Sequence, residues 1–253
     1  MAIYLSTIFV SVVLYTVGMI FMKYLVKYKK ITDIDFPALI FILYFIEIVL
    51  LLVDVEFKDW SYLTLLPFGN IGPLMFFIVP FIFLLPKKAR GYAFTLIALL
   101  SPAMLLYGLI HGIMLVVAGT KFFAAYVLDT FCHILFSLYG VYLVRSKQAD
   151  LDIKKSLISG AVILGVAVLM LILNAIFRTS FFGLSVYGDH IIYNIIFLDS
   201  AVLSTFVYFF IVAGILLIGY FFQKYLAVAS KGLFGDQAED ASEDVAPVDT
   251  QEK

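Results

Sequence analysis

Seven long apolar runs divide the chain, and this feature restricts its possible folds more than any other. An α-helix needs about 20 apolar residues to cross the hydrocarbon core of a bilayer, and each run reaches roughly that length. With 64% hydrophobic residues, the 253-residue chain has more apolar surface than a soluble domain can bury. The sequence therefore predicts an all-α, polytopic membrane bundle of seven transmembrane helices, with spans near 3–22, 36–54, 63–85, 92–118, 122–144, 156–177 and 200–222.

The basic residues of the connections predict how the bundle is oriented. Thirteen of them follow the odd-numbered spans, whereas the alternate connections hold only Lys58, Lys121 and Arg178. Cytoplasmic loops carry an excess of Lys and Arg, so we expect an N-terminus outside and a C-terminus in the cytoplasm. The expected location is a cell membrane, most simply the inner or plasma membrane of a bacterium, and the expected partners are membrane lipids.

The last 21 residues form a separate segment by composition. They include "GDQAEDASEDVAPVDTQEK" and hold seven of the 18 acidic residues but only one of the 17 basic residues. Few apolar side chains and a high net charge predict a disordered cytoplasmic tail at 233–253, after a transmembrane domain at 1–232. Nothing in the pattern indicates nucleic-acid binding, and protein partners cannot be read from it.

The polar residues inside the predicted spans share a depth. Counted from the predicted outer ends at about 1.5 Å per helical residue, they fall in the outer halves, and the inner halves are almost purely apolar. Buried polar groups of this kind are costly in lipid, so they should face protein or a water-filled cavity. We therefore expect a polar pocket open to the outside, lined by Glu47, Asn70, His111, Tyr126, Asp129, His133, Ser137, Asn174, Asp199 and Ser204.

Within that set, "YVLDTFCHILFSLYG" in span 5 carries the candidate chemistry. Asp129 and His133 are four residues apart, so a helix places them on one face, with Ser137 one turn further along. A carboxylate that accepts from one imidazole nitrogen fixes the tautomer and leaves the other nitrogen as a base. The alternative is a structural hydrogen-bonded knot between helices. Cys132, off this face, is expected to be a buried apolar filler.

Two further spans contain unusual backbone signals. Span 3, with "LPFGNIGPLMFFIVP", has three prolines that should kink or break a helix, and irregular backbone at membrane depth is tolerated beside a cavity. Span 4 has Pro102 and the pair Gly108 and Gly112, which should press His111 against a neighbouring helix. The three histidines lack HxxxH or HExxH spacing, so no metal site and no cofactor are expected.

Residues 62–185 show a resemblance to the YwaF-like bacterial integral membrane family, carried by "LTLLPFGNIGPLMFF", "GYAFTLIALLSPAML", "TFCHILFSLYGVYLV" and "NAIFRTSFFGL". That family is distantly similar to the eukaryotic transmembrane acyltransferase of ether-phospholipid remodelling. The corresponding positions here are Pro67, Pro102, His133 and Asn174. The family's Cys and His would fall near 71–72 and 69, where this chain has neither, so the resemblance does not imply acyl transfer through that Cys.

Three functions remain open at this point. The first is binding or processing of a lipid or other amphiphile. As an enzyme, this protein would use His133 as base, oriented by Asp129, with Ser137, Thr130 or water as nucleophile and Asn70 or Asn174 as oxyanion donors. The second is a proton-coupled carrier with Glu47, Asp129, His133 and Asp199 as relay, against which the apolar inner halves argue. The third is a non-catalytic sensor or assembly protein.

Overall fold

Helices make up the regular structure of the described residues, which contain no strand. The computed structural model describes residues 12–13, 15–20, 34–54, 69–118, 123–177 and 201–234, and those within 12–20 are helical. The helices beyond that segment are α1 (Asp35–Asp54), α2 (Ile71–Ile78), a 3-10 helix (Val79–Leu84), α3 (Lys87–Ala118), α4 (Phe123–Arg145), α5 (Ile153–Phe177) and α6 (Ala201–Phe234).

Four helices contain segments long and apolar enough to cross a membrane, namely Lys87–Leu109, Val127–Arg145, Ile153–Phe177 and Thr205–Leu226. On α5 and α6, large apolar side chains such as Leu157 and Phe210 are exposed. Many exposed large apolar side chains on a helix are unfavourable in water and expected in lipid. The chain is a membrane-embedded helical protein. Further membrane crossings and the orientation of the termini remain predictions.

The described part of predicted span 3 is not one regular helix. The α-helix ends at Ile78, and a 3-10 helix continues to Leu84 with Pro80 in its first turn. Proline has no N–H and cannot continue the α-helical hydrogen-bond ladder, which explains the change. The predicted break is therefore confirmed here, while Pro67 lies outside the described residues.

Helix α6 is longer than predicted span 7, and the end of the membrane span near 222 stays a prediction. α6 continues to Phe234, beyond the polar pair Gln223 and Lys224. The pair looks like a helix end in the sequence, but Gln223 is fully buried against another helix. The predicted tail, apart from its first two residues, lies outside the described part of the chain.

α3 and α4 form the antiparallel pair at the centre of the fold. A Cβ atom on Gly108 of α3 would lie 2.8 Å from the Cβ of His133 on α4, and Gly140 of α4 packs directly on Ser101 of α3. These two contacts lie seven residues apart on each helix. Gly108 and Gly140, one at each contact, thus let the two helix backbones approach closely, which is the usual basis of helix packing in membranes.

The other helices surround this pair. α1 lies against α4, where the Phe36 ring is 5.8 Å from the Tyr139 ring. α5 lies against α3, and the Ser159 hydroxyl donates a hydrogen bond of 2.9 Å to the Tyr92 carbonyl. α6 also packs on α3, and α2 contacts both α1 and α4. α4 therefore has neighbours on several sides, and its polar face is buried.

Candidate functional site

Three ionisable side chains from two helices are buried together. α1 contributes Glu47, and α4 contributes Asp129 and His133; their exposed fractions are 4%, 7% and 1%. Asp129 is close enough to Glu47 for the two carboxyl groups to repel each other when both are ionised. Ionisable groups are rare inside membrane helices because burial of charge is costly. We call these three residues the acidic-histidine site.

The histidine is held by the residue one turn before it. His133 Nδ1 lies 2.8 Å from the backbone carbonyl oxygen of Asp129 and 3.3 Å from its Oδ1. A carbonyl oxygen only accepts hydrogen bonds, so Nδ1 carries a proton and donates it to this oxygen. The second ring nitrogen, Nε2, is then the one that can gain or lose a proton.

Aromatic rings and a glycine backbone enclose the imidazole. The His133 ring centre lies 4.8 Å from that of Phe76, edge to face, and 4.7 Å from that of Tyr107. A Cβ atom on Gly72 would lie only 3.0 Å from His133 Nε2. The first turn of α2 therefore covers the side of the ring that faces away from Asp129.

Glu47 is the one member of the site that lies on α1. Its Oε2 atom is buried and has no hydrogen-bond partner among the described residues. Tyr44 and Cys132 are close enough to interact electrostatically with it. Two carboxylates in one apolar interior are least costly when at least one binds a proton. The arrangement can therefore hold a proton that it shares or exchanges with its surroundings.

Cys132 is fully buried next to this site, as expected for an apolar filler. Its Sγ atom lies 3.8 Å from the Ile40 carbonyl oxygen, a weak contact between α4 and α1. Within the described ranges, no group of three or more His, Cys, Asp or Glu side chains is placed to hold a metal ion.

The other residues predicted to line the pocket have different positions. Ser137 is buried one turn beyond His133, and its hydroxyl has no hydrogen-bond partner in the described structure. Asn70 is exposed at the start of α2, and Asn174 is fully buried on α5, a helix that packs on α3 and α6. The remaining side chains lie outside the described part: His111, Tyr126, Asp199 and Ser204.

A second buried polar cluster was not predicted from the sequence. Gln223 of α6 and Ser101 of α3 are both fully buried, and their side chains form a hydrogen bond of 2.6 Å. We call this the glutamine-serine cluster. Buried polar groups therefore also occur in helix segments that were expected from the sequence to be almost purely apolar. The missed signal is the apolar pattern that continues past Gln223 through "YLAVA".

Comparison with protein-family models, with curated proteins and with solved structures gave no match. The resemblance to the YwaF-like family therefore stays a prediction.

Proposed function

We propose that this chain is a proton-coupled carrier of a bacterial cytoplasmic membrane, in which the acidic-histidine site binds the coupling proton. The observation that carries the proposal is the shared burial of Glu47, Asp129 and His133, with one Glu47 oxygen lacking a described partner. Such groups inside membrane helices are typical of proton relays in pumps and transporters. Gain or loss of a proton here changes the charge between α1 and α4, and this change biases how the two helices pack.

The surroundings of His133 favour a carrier over an enzyme. A general base needs a nucleophile within hydrogen-bonding distance, about 2.6–3.2 Å. The Ser137 hydroxyl, the nearest serine along α4, makes no hydrogen bond within the described structure, and Gly72 covers Nε2. Neither feature suits attack on a bound substrate, and both are compatible with a buried proton-binding group.

The test is proton movement into liposomes that contain the purified protein and a trapped pH-sensitive dye, with the membrane potential held at zero. A panel of amino acids, sugars, organic acids and organic cations is added outside, one at a time. We expect at least one class to drive proton entry.

Glu47→Gln keeps the shape of the side chain but removes its charge, and we expect it to lower that entry about tenfold or more. Phe45→Leu, at an exposed position of α1, is the matched control and should behave as wild type. Proton entry that survives Glu47→Gln would exclude this role for the site.

A lipid-processing enzyme is the second candidate, and one observation favours it. Because Nδ1 donates to Asp129, Nε2 carries the lone pair that a general base requires. Comparative lipidomics of cells that express wild type, His133→Ala or Asp129→Ala at matched membrane levels separates the two functions. A lipid change that is lost in both variants supports the enzyme, and an unchanged lipidome supports the carrier.

A further inference from the structure

The residue Pro102 leaves a carbonyl group of α3 without its helical hydrogen-bond donor. In an α-helix, the N–H of residue 102 would donate to the carbonyl of Ala98, but proline has no N–H. The Ala98 oxygen instead accepts hydrogen bonds from the Ser101 hydroxyl, at 2.9 Å, and from Gln223 Nε2, at 3.2 Å. The glutamine-serine cluster therefore meets α3 at its one interrupted turn.

Gln223 has a second group that the described protein does not satisfy. Its side chain has no exposed surface, and its Oε1 atom has no hydrogen-bond partner among the described residues. An unsatisfied buried acceptor costs about 1–3 kcal/mol, so such atoms normally contact an ordered water or another donor. A buried water needs several polar partners, and the Ser101 hydroxyl and the Gln223 amide are neighbouring polar groups.

The cluster lies in line with the acidic-histidine site. On α4, Asp129, His133, Ser137 and Gly140 succeed one another by a turn, and Gly140 packs directly on Ser101. From His133 to Gly140 the rise is about 10 Å. The buried hydroxyl of Ser137 lies between the two and is unpartnered in the described ranges, although the Tyr15 hydroxyl approaches it outside hydrogen-bonding geometry. Hydrogen-bonding groups thus recur at each turn between the sites.

We infer that the glutamine-serine cluster binds a water molecule at Gln223 Oε1 and that this water, with Ser137, extends the proton path of the acidic-histidine site toward the opposite membrane face. The inference rests on the proposed carrier function. Each oxygen along the path accepts one proton and releases another, so no group is consumed. Gln223 orients the water and is not itself protonated.

The structural alternative is that Gln223 only supplies a hydrogen bond to the Ala98 carbonyl, which Pro102 leaves without a backbone donor. Three variants distinguish this stabilising role from a role in proton conduction. Gln223→Met keeps the approximate volume and removes both the Nε2 donor and the Oε1 acceptor of the amide, so the Ala98 carbonyl loses a donor. Pro102→Ala restores the backbone N–H that the Ala98 carbonyl lacks, and the double variant combines the two changes. Thermal unfolding in detergent measures how much the hydrogen bond to the Ala98 carbonyl contributes to stability. The liposome assay, with a solute that drives proton entry in wild type, measures proton conduction.

We expect Gln223→Met to lower proton entry about tenfold or more and to lower Tm. In the double variant we expect Tm to recover and proton entry to stay low, while Pro102→Ala alone stays near wild type in the liposome assay. If Gln223→Met does not accumulate in the membrane, the double variant is used in its place, because its Ala98 carbonyl again has a hydrogen-bond donor. Its proton entry then shows whether Gln223 is needed for proton conduction.

Three results would overturn the inference: normal proton entry in Gln223→Met, recovered entry in the double variant, or loss of entry in Pro102→Ala alone. If Glu47→Gln abolishes proton entry in the same assay while Gln223→Met does not, only the inference fails. If Glu47→Gln retains it, or wild type moves no protons with any solute, the carrier function and the inference both fail.

Discussion

At the scale of single residues, the position of His133 depends on two glycines of neighbouring helices, which have no side chain where they face it. Gly108 of α3 faces the Cβ of His133, and Gly72 of α2 faces its Nε2 atom. Neither contact is visible in the sequence, because periodicity assigns residues to a face of one helix and not to a partner helix. The pair Gly108 and Gly112 was expected to press His111 against a neighbour. The structure places Gly108 against His133. The His111 side chain lies outside the described part, so the expectation for His111 stays a prediction.

Gly108→Ala should destabilise the protein. The added methyl group would meet the Cβ of His133, which belongs to the rigid base of the side chain, so α3 and α4 must separate. Overpacking of this kind costs about 1–3 kcal/mol. Gly165→Ala is the control, because an added Cβ there has no heavy atom within 4 Å. Thermal unfolding in detergent should show a lower Tm for the first variant only; equal Tm values would contradict the close packing of α3 on α4.

At the scale of helices, the connection from α4 to α5 shows how local sequence sets a boundary. The Asp152 carboxylate accepts hydrogen bonds from the backbone N–H groups of Lys154, at 3.0 Å, and Lys155, at 3.3 Å. A side-chain oxygen at the position before a helix satisfies donors that have no helical partner. α5 accordingly begins at Ile153, earlier than the apolar run that starts near 156.

Asp152→Ala should remove this cap and lower the free energy of unfolding by about 1 kcal/mol. Lys154→Ala, at an exposed position in the first turn of the helix, changes a side chain without removing the cap; it is the control and should have little effect. Thermal unfolding of both variants in the same detergent provides the comparison. A Tm for Asp152→Ala that equals that of the control would show that the cap contributes nothing measurable.

Features that depend on one segment of the sequence could be predicted, and features that depend on contacts between helices could not. The bounds of α1 and α4 differ from the predicted spans by one residue, because apolar length determines both. The shared face of Asp129, His133 and Ser137 follows from their spacing. The burial of Gln223 does not, because it depends on a carbonyl that Pro102 exposes on another helix. Glu47 was expected in the site from its depth alone, and its electrostatic interaction with Asp129 required the structure.

At the scale of the whole molecule, the direction of the helices connects the two polar sites to the two sides of the membrane. If the basic connections are cytoplasmic, the acidic-histidine site lies in the outer half and the glutamine-serine cluster in the inner half. A carrier needs polar groups in both halves, which is why the cluster bears on function.

Reporter fusions test this orientation. Green fluorescent protein after Lys253 should fluoresce, and alkaline phosphatase inserted after Lys58 should be active, because each reporter works on one side of the membrane only. The reverse pattern in both fusions would invert the orientation and exchange the halves in which the two sites lie.

Infrared spectroscopy of the purified protein as pH is varied shows directly whether the acidic-histidine site holds an exchangeable proton. A protonated carboxyl group has a carbonyl stretch that a carboxylate lacks. We predict such a band near neutral pH in wild type, its loss in Glu47→Gln or Asp129→Asn, and its retention in Phe45→Leu. Absence of the band in wild type, or a band that both Glu47→Gln and Asp129→Asn retain, would show that Glu47 and Asp129 bind no proton and that the site is not a proton-binding site.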